Sequence, residues 1–96
     1  MHEIQFSDRA LKDLTKAFEH YRSASPRIAD RFELALAEAI SCLSAWPDSG
    51  RLIEQLAIRK MRLSRFPFAL LYEATLNTVN VLRVIDLRSD PKRWIE

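Results

Sequence analysis

Residues 7 to 45 carry two helical stripes with one break between them, and this pair dictates most of what the chain can become. Ser7 or Asp8 can cap the first helix, because a side-chain oxygen there accepts a free N–H of the first turn. Leu11, Leu14, Phe18 and Tyr21 follow at helical spacing and share one face. Lys12, Asp13, Lys16, Glu19 and His20 fall on the other, solvated side. SASP, residues 23–26, breaks the pattern. Ser25 is the expected N-cap of a second helix, with Pro26 at its first position, where a missing N–H costs nothing. That helix runs to about Ala45 and buries Ile28, Phe32, Ala35, Leu36, Ala39, Ile40 and Leu43, with Cys42 a buried thiol at the edge of the arc. Two amphipathic helices joined by so few residues form an antiparallel hairpin. The hairpin still has an apolar stripe to cover, and that requires a sheet.

The remaining segments supply one. HEIQF, residues 2–6, reads as a strand with Ile4 and Phe6 on one face. WPDSGR, residues 46–51, ends the second helix with turn chemistry. Residues 57–64 and 67–75 read as two strands, and LNTVN supplies a turn with Asn77 and Asn80. TVNVLRVID, residues 78–86, is the richest β-branched stretch and reads as a central strand. Asp90-Pro91 stops the sheet, and Trp94 is expected to fold back onto it as a lid. The order β-α-α-β-β-β predicts an α+β fold of two layers, a helical hairpin on one face of a mostly antiparallel sheet. One domain is expected over residues 1–96. The second sheet face is left open, and function is expected there.

Composition narrows the classes of function. The chain has 96 residues, 48% apolar and 29% charged, with one Gly and one Cys. A lone cysteine cannot close an internal disulfide, and no paired Cys/His spacing predicts a metal site. No cofactor motif is present, and no apolar run is long enough to span a bilayer. These features predict a cytoplasmic protein without membrane contact. The net charge of +2 hides an asymmetry. Residues 1–50 hold six Lys/Arg and eight Asp/Glu, whereas residues 51–96 hold nine and five. The second half is the part suited to an anionic partner.

Four of those nine cations sit in IRKMRLSRFPFALLYE, residues 58–73: Arg59, Lys60, Arg62 and Arg65. Alternation puts Lys60, Arg62 and Ser64 on one face and Met61 and Leu63 on the other. On an edge strand such residues also discourage edge-to-edge pairing. Arg83 interrupts an apolar run, where an unpaired charge is costly. It either pairs with Asp86 or Glu73 or lines the open face. Asp86 reads as a partner for an arginine before it reads as a base.

The segments SPRIADRFELALAEAI, LSAWPDSGR, IRKMRLSRFPFALLYE and VNVLRVIDLRSDPKRW, in this order, resemble the RelE/ParE superfamily of bacterial toxins. The helix start SP-x-x-A followed by the P-x-x-G turn resembles the ParE side. The resemblance implies the toxin of a type II toxin–antitoxin pair, bound by a cognate antitoxin in a hetero-oligomer. A ParE-like member implies an inhibitor that binds an essential target, DNA gyrase first, without chemistry of its own. A RelE-like member implies ribosome-dependent cleavage of mRNA, and a third alternative is a non-toxic relative that keeps only antitoxin binding. Metal-free RNA cleavage needs a base, an acid and cations for the phosphorane charge. The resemblance offers Arg59, Arg62, Arg65, Arg83 and Arg88 as the cations. With Lys60 and Trp94 these are also the candidate residues for target or antitoxin binding. Trp94 stands where some nucleases of the superfamily carry Tyr, and Asp86 where many carry His, so the acid–base set is incomplete and an enzyme is the less favoured reading.

Overall fold

The computed structural model describes residues 1–94; Ile95 and Glu96, the end of the tail, lie outside the described residues. Strand β1 (Glu3–Phe6) leads into α1 (Asp8–Ala24), which turns at Ser25 into α2 (Pro26–Ala45). Four strands follow: β2 (Arg51–Ile53), β3 (Ile58–Arg62), β4 (Phe68–Ala74) and β5 (Thr78–Asp86), and a short 3-10 helix covers Pro91–Arg93. The sheet order is β1-β5-β4-β3-β2, with β1 parallel to β5 and every other pair antiparallel.

The helical hairpin packs on one sheet face. Leu14, Phe32, Leu36 and Leu43 from the helices meet Leu70, Tyr72, Val79, Val81 and Val84 from the strands. Ile4 and Phe6 border this core, as their alternation predicts. Phe18, Tyr21, Phe32, Phe66 and Phe68 form an aromatic cluster whose packed rings have centroids 5.0–6.0 Å apart, mostly edge to face, an arrangement that suits ring quadrupoles. Two stripe residues lie outside this core: Leu11 is 49% exposed and Ile28 37%. Cys42 is half-buried, its Sγ 3.6 Å from Ser49 Oγ.

Three expectations about the sheet need correcting. An additional strand, β2, pairs with β3, so the arginine-rich strand is not an edge. Asn80 lies within β5 rather than in the turn before it. The second face is not bare. Ala69, Leu71 and Ile85 are buried there under Ile53, Ile58, Leu87 and Trp94, so Trp94 does fold back onto the sheet.

The capping chemistry differs between the helices. Ser7 Oγ accepts the Ala10 N–H at the start of α1 and donates to Leu82 O of β5. Ser25 stands at the N-cap of α2 without a side-chain cap bond. The turn before β2 is latched by Tyr72, a fully buried residue whose hydroxyl accepts the Gly50 N–H at 2.9 Å and donates to Pro47 O at 2.8 Å. A Cβ at Gly50 would fall 2.5 Å from that hydroxyl, which is why the side chain at this position is absent.

Candidate functional site

The geometry around Arg83 begins with an irregularity in the β4–β5 ladder. Leu71 pairs with Arg83 but Tyr72 pairs with Val81, so β5 carries one extra residue. A bulge of this kind shifts the alternation. Val79 and Val81 face the helices before it; after it Val84 does so, and Ile85 faces the other way. Arg83 is thereby kept out of the main core.

β1 accompanies β5 only as far as the Phe6–Val81 pair. Beyond it the free edge of β5 is closed by side chains from the start of α1. Asp13 Oδ2 accepts the Val84 N–H at 3.0 Å. The same carboxylate takes Arg83 Nε at 2.8 Å and Nη2 at 3.3 Å, and Arg83 Nη1 donates to Trp94 O at 2.9 Å. The Arg83 and Asp13 side chains are each 19% exposed. The expected partners Asp86 and Glu73 are not used; Arg83 reaches Asp13 at the edge of β5 that β1 leaves uncovered. Asp86 instead takes Arg88, through Nε and Nη2 at 2.9 Å each and the Arg88 N–H at 2.9 Å. The hydrogen bond from Arg88 holds the Asp86 carboxyl below the usual carboxylate range, against a smaller opposing effect of burial, and the nearby His20 adds a weaker pull in the same direction. Its partner Arg88 is raised by the same pair. Burial pushes the Tyr21 hydroxyl up, with Arg88 opposing.

The two ion pairs line a cleft of about 460 Å³ between α1 and the end of β5. Arg83, Asp86, Arg88 and Trp94 reach it, as do Lys16, His20 and Arg93, which sequence reasoning passed over. The i, i+4 spacing of Lys16 and His20 signals a shared face; nothing in the sequence says that this face overlooks the end of β5. His20 is exposed, as expected, yet it borders the cleft.

The other candidates lie elsewhere. Arg59 is structural: its Nη1 donates to Asp48 O and Gly50 O and so closes the turn before β2. Lys60 and Arg62 fall on the face opposite the helices, as alternation predicts, with Lys60 Nζ 5.6 Å from the centroid of the Trp94 ring. Trp94 Nε1 donates to Ser89 Oγ at 3.2 Å. Arg65 sits in the β3–β4 turn with φ of 68° and borders a separate groove beside α2, with Ile28, Arg31, Leu34 and Phe66. The seven candidates therefore do not form one site. Arg83, Arg88 and Trp94 belong to the cleft, Lys60 and Arg62 to the adjoining sheet face, and Arg59 and Arg65 to neither. Among the described residues no group of His, Cys, Asp and Glu is arranged to hold a metal ion, and no helix is long and apolar enough to cross a membrane.

A two-helix hairpin on a five-stranded, mostly antiparallel sheet is the architecture of a known toxin class. The family model for the ParE toxin of the type II toxin–antitoxin system parDE matches residues 4–91, and the chain belongs to that family. A solved chain titled "Chromosomal ParDE TA system from P. aeruginosa" superposes with a TM-score of 0.76 at 23% identity, covering 91% of this chain and 97% of its own. That likeness bears on the fold. No curated protein matches the chain.

Proposed function

We propose that this protein is a toxin that acts by binding an essential target, with DNA gyrase the leading candidate, and that a cognate antitoxin neutralises it. Membership of the ParE family supports this reading. The observation that carries it is the state of the arginines: Arg83 is committed to Asp13 and the tail, and Arg88 to Asp86. Side chains held in this way make a rigid, shaped surface; they do not supply a proton donor and acceptor aimed at one reacting atom. The binding surface is the sheet face around Lys60 and Arg62 with the border formed by Trp94. A partner of opposite charge gains on-rate and orientation from it.

The test is a gyrase supercoiling assay with purified protein, with and without the antitoxin encoded beside it. Inhibition that the antitoxin reverses is the expected result. Full supercoiling at saturating protein, with growth still arrested in cells, would remove gyrase as the target. Harmless expression of the chain alone would point to a relative that retains complex formation only.

A second reading, cleavage of ribosome-bound mRNA, gains one observation. His20 brings an imidazole to the border of the cleft that Arg83 and Arg88 line. Primer extension on mRNA from a reconstituted translation reaction decides it, since cuts within occupied codons would establish cleavage and intact mRNA would reject it.

A further inference from the structure

The cleft between α1 and the end of β5 holds more positive charge than its own carboxylates balance. Lys16, Arg83, Arg88 and Arg93 line it beside His20, against Asp13 and Asp86. Both carboxylates are already engaged. Asp13 is occupied by Arg83 and the Val84 N–H, and Asp86 by the side chain and backbone of Arg88. Lys16, His20 and Arg93 make no ion pair among the described residues. Arg88 spends Nε and Nη2 on Asp86, which leaves the donors of Nη1. Donors therefore border the cleft from three elements: α1, the segment after β5 and the 3-10 helix. Phe68 and Trp94 supply apolar lining.

We propose that this cleft binds a phosphate ester of nucleotide size, with Lys16, His20, Arg88 and Arg93 around the phosphate and Trp94 and Phe68 against its organic part. A phosphate monoester presents three acceptor oxygens and close to two charges, which suits several donors on separate walls better than a two-oxygen carboxylate does. A volume of about 460 Å³ exceeds what a bare ion fills and falls within the usual range of small-molecule sites. Cations beside an aromatic ring are also the combination that holds single nucleotides of a strand. The phosphate belongs either to a free nucleotide or to the end of a nucleic-acid strand. The site does not depend on gyrase being the toxin's target.

The experiment is an amide and indole NMR titration of the full chain at constant ionic strength. The ligands are inorganic phosphate, adenosine monophosphate, and a short oligonucleotide with and without a 5′-phosphate. Saturable shifts confined to Lys16, His20, Arg88, Arg93 and the Trp94 indole are expected, with the monophosphate tighter than inorganic phosphate. Lys16→Ala combined with His20→Ala should weaken binding by about tenfold or more. Both side chains are exposed, so the pair should leave the spectrum of the fold intact. Lys12→Ala, on the same helix but outside the cleft, should change nothing. Saturation by the mononucleotide alone assigns a free nucleotide; saturation by the phosphorylated strand assigns a strand end. Shifts that spread over the surface without saturating overturn the proposal. So does equal binding of the unphosphorylated strand, or indifference to the double substitution.

Discussion

Asp13 shows how much one side chain can settle. It closes the edge of β5 that β1 leaves uncovered, and it gives Arg83 a partner in a site only 19% exposed. Asp13→Ala removes both, leaving the Val84 N–H without an acceptor and the Arg83 charge with only the Trp94 carbonyl, and should cost on the order of 2 kcal/mol in urea denaturation. Asp13→Asn keeps an acceptor for Val84 and should cost less; equal losses would mean that the backbone bond contributes nothing. Asp86 makes a prediction in pH. Its folded carboxyl titrates below the usual range because of Arg88. The pair therefore stabilises the fold above the unfolded carboxylate value of about 4, and that contribution is lost as pH falls through the lower folded value. Asp86→Asn should flatten the part of the stability curve that lies below about pH 4. An unchanged slope would show that other carboxylates carry it. That Asp86 pairs with an arginine was legible in the sequence; the Asp13–Arg83 pair was not, because those two residues are remote in the chain and a one-residue bulge decides which way Arg83 turns.

At the scale of elements, the helices were the most legible part. Their stripes and the SASP break place α1 and α2 nearly to the residue, since helical periodicity over many residues is a strong signal. The caps divide in a way that sequence chemistry does not predict. Ser7 bridges the Ala10 N–H and Leu82 O, whereas Ser25 makes no side-chain cap bond. Ser7→Ala should therefore cost about 1–2 kcal/mol and Ser25→Ala only a few tenths. Thermal melts of the two variants check the order, and a reversed order would refute the bridge. The strands at 58–62, 68–74 and 78–86 lie within the stretches predicted for them, and 78–86 agrees at both ends. β2 was not legible. Three residues offer no periodicity, and its pairing depends on a turn closed by Tyr72 and Arg59 from other strands.

For the whole molecule, the distribution of charge is the functional question. Arg62 is exposed on the face opposite the helices and makes no ion pair among the described residues. Arg62→Glu should weaken target inhibition about tenfold while leaving the melting temperature nearly unchanged, because the charge steers a partner without supporting the core. Undiminished inhibition would move the binding surface away from this face. The sequence by itself determined the two layers, the helical hairpin, most of the strands and the half of the chain that is basic. Each of these follows from local periodicity, turn residues or counting. Only the tertiary structure decided which charges are spent and which face outward. It withdrew Arg59 into a turn, joined Arg83 to Asp13 and brought Lys16 and His20 to the cleft beside Arg88. Such pairings depend on which strand edge a helix covers, and that is fixed by packing between segments distant in sequence.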